Sequence, residues 1–324
     1  MAFRTRLIAF CFATLLVHLI GSAAYAADID QADALLHQGR VDEAGNVLRE
    51  ALTEQPGDAR AHQLLCRVYY AQDVADTSIH ECELAVSNAP NESDYQMWLG
   101  RAYGLKASHA NPFLAIGLAK KVHVAFERAV ELNPTNISAM SDLGQFYVGA
   151  PSIVGGGLDK AQDLAARMQP HSPSNSHRLR ALIAEKKKDM ATAETEFKAA
   201  VAAGKKPEAY VDLGFFYQRH NQPDKAVAAL QAAIDADRRK DAALVDVASV
   251  LTAAHRSPQL AESLLRDYLA SPMKSDAAPA FKVHVQLGDL LSQRGDTAGA
   301  RREYAAAVAL ASNYAPARKA LQGL

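Results

Sequence analysis

Apolar residues recur along most of the chain at spacings of three and four, which places them on one face of a helix. Four segments share a Leu-Gly pair followed three residues later by Tyr or Leu: MWLGRAY at 97–103, SDLGQFY at 141–147, VDLGFFY at 211–217 and VQLGDLL at 285–291. About a dozen residues after each Gly, unless a loop intervenes, comes a second helical pattern such as Ala226-Leu230-Ala233. The pattern therefore predicts pairs of helices, repeated in phase along the chain.

The small residues in this pattern indicate that the paired helices pack closely. A glycine inside a helix costs about 1 kcal/mol relative to alanine, so its recurrence at one point indicates closely packed helix pairs. Prolines such as Pro56 and Pro134 follow the second helix and end it, because proline lacks an N–H group. Each helical hairpin leaves one apolar face uncovered and is stable only when the next hairpin stacks on it.

The recurring hairpin resembles the tetratricopeptide repeat, a helix-turn-helix unit of about 34 residues. The resemblance implies an all-α fold, a right-handed superhelical solenoid of about eight repeats followed by a C-terminal capping helix at 314–324. Units five and seven lack the Leu-Gly pair, so their boundaries are the least defined. The predicted units are 27–58, 59–92, 93–136 with an insertion, 137–172 with a glycine-rich turn, 173–206, 207–240, 241–278 and 279–313.

The first 26 residues resemble a cleavable export signal. Arg4 and Arg6 precede an apolar run from Leu7 to Ile20, and Ala24-Tyr25-Ala26 supplies small residues at the cleavage positions. This run is shorter than the roughly 20 residues that span a bilayer. We therefore expect cleavage after Ala26, a periplasmic or secreted protein, and no membrane span in residues 27–324.

The net charge of the chain bears on whether it binds nucleic acid, and its two remaining cysteines bear on whether it contains a disulfide. Without Arg4 and Arg6 the chain is slightly acidic, so its net charge gives no reason to expect nucleic-acid binding, which requires a basic face. Cys66 and Cys82 occupy small or apolar positions of the repeat, where free cysteines are common. Export also makes a disulfide chemically possible, but spacing alone does not supply its geometry, and both interpretations stay open.

The segment Ala150–Gly157 contains three consecutive glycines, Gly155, Gly156 and Gly157. A phosphate-binding loop would need a preceding strand and a Lys-Ser/Thr pair after the last glycine, and neither is present. We interpret the segment as a long turn, in which Ala150-Pro151 ends one helix and Asp159 lies in the first turn of the next.

Unit three carries an insertion of about ten residues that includes Phe113, Leu114 and Ile116. One hypothesis is a loop platform formed by Phe113 and Gly155, Gly156 and Gly157 of the next unit, because insertions in repeats often mark binding surfaces. The alternative is that the apolar residues extend the following helix.

No catalytic, metal or cofactor site is predicted. The segment HECEL at 80–84 lacks the second histidine of a zinc-binding HExxH motif, and there is no G-x-S-x-G motif for a serine nucleophile. Scattered histidines and carboxylates on helix surfaces are expected in any helical protein. We therefore expect a protein that is not an enzyme.

The resemblance also implies that the first helix of each unit lines a concave groove. Two arginines follow the small residue in successive units, Arg67 and Arg101, and paired guanidinium groups bind carboxylates well. We hypothesise that they receive an acidic group of a partner and that Phe215 is an apolar anchor; alternatively, they pair with acidic neighbours such as Asp94. The predicted partner-binding residues are Gln63, Arg67, Tyr70, Met97, Arg101, Gln145, Phe215 and Gln218.

The function that follows from these features is a scaffold in the cell envelope, which binds a protein or peptide partner through the groove. The alternative is an accessory protein for envelope transport or assembly that binds a small molecule or glycan. A deep aromatic pocket would favour the alternative, but we expect the single tryptophan, Trp98, to lie in the core.

Overall fold

The computed structural model describes residues 28–324, and this part of the chain is helical without a β-strand. The predicted export signal at 1–26 lies outside the described residues. The all-α repeat fold is confirmed. Helix α1 is described from 28 to 37, and it is followed by α2 Val41–Glu54, α3 Ala59–Ala71, α4 Ala75–Asn88, α5 Ser93–Ser108, α6 Pro112–Leu132, α7 Ile137–Gly149, α8 Leu158–Met168, α9 Pro173–Lys186, α10 Met190–Gly204, α11 Pro207–Arg219, α12 Pro223–Ala236, α13 Ala243–Ala253, α14 Pro258–Ala270, α15 Ala280–Gln293, α16 Thr297–Leu310 and α17 Ala315–Gln322.

Helix starts follow the local sequence. Asp58, Asn136 and Asp296 each accept a hydrogen bond from a backbone N–H of the first turn, which satisfies a donor that the helix itself leaves unpaired. Other helices begin with proline at the first turn, where its missing N–H has no cost. The helices fall in pairs, two within each of the eight predicted units.

The glycine of the Leu-Gly pair lies where two helices approach closely. A methyl group at Gly100 would lie 2.5 Å from the Phe126 ring, and one at Gly288 would lie 2.5 Å from the Tyr304 ring. Gly144 is different, because its neighbour is Leu179 of the next unit, at 2.7 Å. The glycines therefore allow large side chains to pack directly on the helix backbone.

Two sets of polar contacts repeat along the array. Tyrosines of the first helices donate to glutamates in the second helix of the preceding unit, in the pairs Tyr103–Glu83, Tyr147–Glu127 and Tyr217–Glu194. Histidines of the first helices contact glutamates 19 residues later in the same hairpin, in the pairs His62–Glu81, His177–Glu196 and His284–Glu303, each at 2.7 Å. The tyrosine pairs join neighbouring units, whereas the histidine pairs join the helices within a unit.

The insertion of unit three is helical. Helices α5 and α6 have 16 and 21 residues, against 13 and 14 in α3 and α4. Phe113 lies in the first turn of α6 and not in a loop, so of the two interpretations that the sequence left open the structure has the helical one. The apolar residues instead extend the helix, because Asn111 and Pro112 start it early.

The segment Ala150–Gly157 is a turn, as the motif analysis indicated. A short 3-10 helix, Ser152–Val154, precedes Gly155, whose φ of +103° is a left-handed conformation that favours glycine. A side chain at Gly156 would collide with the Ala150 carbonyl oxygen at 1.9 Å. The turn packs on α6, where Gly155 lies against the His123 ring.

Cys66 and Cys82 form a disulfide between α3 and α4, with their Cα atoms 5.1 Å apart. Both side chains are buried in a large apolar cluster that extends over units two to five. The sequence left this pairing open, because only the hairpin geometry brings the two thiols together.

The two ends of the array are in contact, and their apolar residues form one buried cluster. It unites Ile29 and Leu36 of α1 with Phe281 of α15 and with Tyr314 and Ala317 at the C-terminus. The rings of Phe281 and Tyr314 are 4.9 Å apart, centre to centre. The predicted capping helix α17 is therefore partly covered by the N-terminal unit.

Polar contacts reinforce this closure. The Lys282 ammonium lies 2.8 Å from the Asp73 carboxylate, and the Ser312 backbone N–H donates to Asp42 at 2.7 Å. Since each unit also packs on the next one, the eight units form a closed ring. The first helices α3, α5, α7, α9 and α11 carry the side chains of the inner surface that are described below.

Candidate functional site

The inner surface is formed by residues three or four positions apart on successive first helices. In α7 these are Asp142, Gln145 and Val148, and the corresponding residues of α11 are Asp212, Phe215 and Arg219. Such spacing places them on one helix face, away from the face that packs on the second helix. The inner surface is therefore continuous from unit two to unit six.

At its N-terminal end, Trp98 lies between two arginines. The Arg101 guanidinium carbon is 4.6 Å from the centre of the indole ring, and that of Arg67 is 5.6 Å away. Tyr70 contacts the same ring edge-to-face at 5.4 Å. Both arginines are at a distance where the indole face attracts a cation. We call this set of four side chains the arginine–tryptophan stack.

The arginines of the stack are already paired with carboxylates of the chain. Arg67 reaches Asp276 at 2.6 Å and Asp33 at 3.1 Å, and Arg101 donates to Asp142 at 2.6 Å. Asp276 precedes the last unit, so the Arg67 pair is part of the ring closure. A carboxylate of a partner would have to displace these pairs. Asp94, which the sequence suggested as a possible acidic neighbour of the arginines, instead accepts a hydrogen bond from the Asn136 side chain.

The inner surface also contains an open cavity of about 630 Å³, which we call the central groove. Its apolar side chains are Val148, Leu182 and Phe215, with the buried Phe197 beneath them. The remaining lining residues are polar: Gln145, Arg178, Glu185, Lys186, Asp212 and Arg219. The groove thus offers a partly exposed apolar strip between α7, α9 and α11, bordered by charges.

Ion pairs across helices hold most of these charges in place. Arg178 donates to Asp212 at 2.8 Å, and Arg219 binds both oxygens of Glu185 at 3.0 and 2.9 Å. Burial raises the pKa of the Asp212 carboxyl, while the Arg178 and Arg219 guanidinium groups oppose this shift. Lys186, in contrast, forms no ion pair with the described residues. The groove therefore combines an apolar strip with one cation that a ligand can use.

The predicted partner-binding residues divide into three groups, and Gln218 lies apart from all of them. Gln145 and Phe215 line the central groove, and Arg67, Tyr70 and Arg101 belong to the arginine–tryptophan stack. Gln218 lines a separate cavity of about 350 Å³ between α11, α12 and α13.

The third group, Gln63 and Met97, is buried and does not line the inner surface. These two residues precede Cys66 and Gly100 by three positions, which turns them toward the neighbouring helices. Their prediction as partner contacts is inconsistent with this burial.

Sequence reasoning missed Trp98, which is half-buried on the inner surface and not in the core. It also missed Val148, Arg178 and Asp212. Spacing was the available signal, because residues at i±3 and i±4 share a helix face: Val148 follows Gln145 by three positions, Asp212 precedes Phe215 by three, and Arg178 precedes Leu182 by four. The loop-platform residues Gly155, Gly156 and Gly157 lie at a turn that packs on α6 and not in the groove.

The described residues contain no group of three or more His, Cys, Asp or Glu side chains that could hold a metal ion. Within 28–324, none of the helices combines the length and apolar character that crossing a membrane requires.

The chain is similar in sequence to proteins that contain tetratricopeptide repeats. Two tetratricopeptide repeat models match the chain, one over residues 35–102 and the other over 207–240. The BBSome complex member BBS4 homolog of Drosophila melanogaster is 27% identical over 187 residues. The match covers 55% of this chain but only 37% of that relative.

Solved structures are similar in fold at low sequence identity. Yeast Tom70 is 16% identical with a TM-score of 0.53, and the match covers 87% of this chain and 58% of that one. TTC0263, a thermophilic TPR protein of Thermus thermophilus, is 19% identical with a TM-score of 0.47, over 70% of this chain and 99% of that one. At these identities the likeness concerns the fold alone.

Proposed function

Because this chain is a tetratricopeptide repeat protein, we propose that it is a non-catalytic scaffold, which binds a protein or peptide partner on its inner surface. Proteins of this family bind protein partners. The observation that carries the proposal is the central groove, where Val148, Leu182 and Phe215 form an apolar strip among paired charges. Apolar anchors bordered by polar groups are typical of peptide-binding surfaces.

The ion pairs of the arginine–tryptophan stack favour the central groove over the stack as the main contact. Arg67 and Arg101 already have carboxylate partners within the chain, so a second acidic partner gains little from them. In the groove, Lys186 remains available for an acidic group beside the apolar strip. We therefore expect a partner segment that combines an apolar side chain with a nearby carboxylate.

We further propose that the protein acts in the cell envelope after removal of residues 1–26. Two observations support this location: the leader-like sequence and the buried Cys66–Cys82 disulfide, since disulfides persist mainly in oxidising compartments. Mass spectrometry of the protein from envelope fractions should find Ala27 at the N-terminus. An uncleaved chain in the cytoplasmic fraction would contradict the proposal.

A second candidate function is supported by the size of the groove. A cavity of about 630 Å³ falls within the range of about 300–1,000 Å³ that small-molecule sites occupy. A small molecule or glycan with an anionic group would fit beside Lys186. Such a ligand would make the protein an accessory component of envelope transport or assembly.

Capture from an envelope extract tests the scaffold function. The wild type should retain a partner that the double variant Leu182→Ala with Phe215→Ala loses, because the variant removes most of the apolar strip. Val227→Ala is the matched control, since Val227 is an exposed apolar residue on α12 outside the groove. Circular dichroism should show that all three proteins remain folded.

The same experiment separates the two candidate functions. Equal capture by the wild type and the groove variant would contradict binding in the groove. Capture of no protein, together with a small molecule that co-purifies with the wild type only, would favour the second candidate.

A further inference from the structure

The hairpin of α5 and α6 extends beyond its neighbours and exposes apolar side chains at its tip. Helix α6 is seven residues longer than α4, which corresponds to about 10 Å of helix. Phe113 is 89% exposed, Leu114 48% and Ile116 43%. A Cβ atom added at Gly117 would have no neighbour within 4 Å. The tip (residues 109–117) therefore extends beyond the neighbouring hairpin and exposes an apolar end.

The tip is fixed in position by the rest of the hairpin. The Asn111 side chain accepts from the Leu114 N–H, and Pro112 begins the helix. Further along α6, Leu118, Val122 and Phe126 are buried in the core. Because the backbone is already ordered, presenting Phe113 to a binding surface carries little additional entropic cost.

Basic residues flank the apolar tip in both helices of the hairpin. The sequence contains no Asp or Glu between positions 95 and 126, whereas it contains Arg101, Lys106, Lys120 and Lys121. Arg101 and Lys106 pair with Asp142 and Asp76. Lys120 and Lys121 are exposed and pair with no carboxylate of the described residues; Lys121 instead lies 4.8 Å from the Tyr103 ring centre. Two cations without a carboxylate partner among the described residues therefore follow the tip on α6, where an anionic surface could pair with them.

These features favour one kind of binding surface over the others. A second copy of the chain would bring the lysines of two tips together, and like charges repel. The tip is convex, so it cannot enclose a partner side chain as a groove does. An anionic bilayer supplies both an apolar layer for exposed Phe, Leu and Ile and phosphates for lysine.

We propose that the α5–α6 tip binds the surface of anionic lipid bilayers. Phe113, Leu114 and Ile116 enter the boundary between headgroups and acyl chains, and Lys120 and Lys121 contact lipid phosphates. The attachment is peripheral and reversible, because three apolar side chains and two cations contribute less than a membrane-spanning helix. Phe113, Leu114 and Ile116 do not line the central groove, so the groove function and the membrane attachment can be tested independently.

Vesicle co-sedimentation of the purified protein tests this attachment. The wild type should bind phosphatidylcholine vesicles that contain about one third phosphatidylglycerol, and bind pure phosphatidylcholine much more weakly. Phe113→Ala with Ile116→Ala should weaken binding roughly tenfold or more, because each side chain leaves an apolar environment. Lys120→Glu with Lys121→Glu should abolish the preference for the anionic vesicles.

The matched control is Val227→Ala with Leu260→Ala, which removes two exposed apolar side chains from other units. It should bind as the wild type does. Failure of the wild type to bind anionic vesicles, or equal binding by the tip variants, would overturn the proposal. If the tip variants instead lose a captured protein and no vesicle is bound, the tip is a protein-docking surface and the proposal is also wrong.

Discussion

Gly100 and Gly104 lie one turn apart in α5 but have different surroundings. A Cβ atom at Gly100 would lie 2.5 Å from the Phe126 ring, whereas one at Gly104 would have Val122 of the facing helix as its nearest neighbour, at 4.0 Å. Gly100→Ala should therefore lower the free energy of unfolding by about 1–3 kcal/mol through overpacking. Gly104→Ala should raise it by up to about 1 kcal/mol, because alanine favours helix.

Urea denaturation of the two variants measures these opposite effects. Two stabilised variants would show that the Gly100 position does not need a close helix approach.

Asp246 in unit seven occupies the position that Asp212 has in unit six. Unlike Asp212, it forms no ion pair with the described residues. The Asp246 side chain is exposed on α13, so water screens part of its interaction with the carboxylates around it. Burial raises the pKa of Asp246 to about 6, and the carboxylates of Asp212, Glu208 and Asp241 add to this shift. The folded protein therefore loses stability as the pH rises from about 4 through about 6.

Asp246→Asn should raise the melting temperature by a few degrees at about pH 8 and change it little at about pH 4. Thermal melts at the two pH values test the sign, because near pH 4 the folded-state carboxyl is neutral and the unfolded-state carboxyl, with an ordinary pKa of 3.8, is only partly ionised, so most of the penalty is absent. An equal change at both pH values would mean that the asparagine acts through packing and not through charge.

At the residue scale, the resemblance to the tetratricopeptide repeat predicted that the residue after the glycine of the Leu-Gly pair faces the groove. Gln145 and Phe215 occupy that position and line the central groove, while their role as partner contacts stays a prediction. Burial of Gln63 and Met97 was missed, because it depends on which neighbouring helix covers each face. Trp98 was missed for the same reason, since its two arginine neighbours come from different units.

At the element scale, the hairpin of α3 and α4 is held by the Cys66–Cys82 disulfide, which spans 16 residues. Closing a loop of this length stabilises the folded state by about 3 kcal/mol, because it restricts the unfolded chain. Reduction should lower the free energy of unfolding by that amount, as measured by urea denaturation with and without reductant. In a Cys66→Ala and Cys82→Ala double variant, reductant should have no effect.

An unchanged unfolding midpoint of the wild-type protein after verified reduction would contradict a stabilising role for the disulfide.

The hairpins themselves were predictable, because each arises from contacts between helices close in sequence. The extension of α6 was left open between a loop and a helix. The N-cap Asn111 and the first-turn Pro112 are helix-start signals, and together with a buried face at Leu118, Val122 and Phe126 they favour the helix. The residues of that buried face contact other helices, so their burial could not be read from the insertion alone.

At the scale of the whole molecule, the ring closure joins residues about 270 positions apart. The Ser312 N–H donates to Asp42 at 2.7 Å. Asp42→Cys with Ser312→Cys should therefore form an intramolecular disulfide under mild oxidation, detected as a mobility shift on a non-reducing gel. The control pair, Asp42→Cys with Ser257→Cys, should not cross-link within one chain, because Ser257 lies in unit seven, away from α2.

Equal cross-linking of both pairs, or of neither, would contradict the closed ring.

Closure was not predictable from the repeat pattern, which describes contacts between successive units only. Small rotations between units accumulate along an array, and their sum decides whether the ends meet. The buried faces of Phe281 and Tyr314 are consistent with closure, but the same residues would suit an ordinary terminal unit.

A partner that binds on the inner surface of the ring must lie close to Phe215. The decisive experiment is site-specific photocross-linking in living cells, with benzoylphenylalanine in place of Phe215 and, as control, in place of the exposed Ala228 on α12. We expect a discrete cross-linked product from position 215 and none of that size from position 228. A product from position 228 alone would place the partner away from the groove and rule out binding on the inner surface.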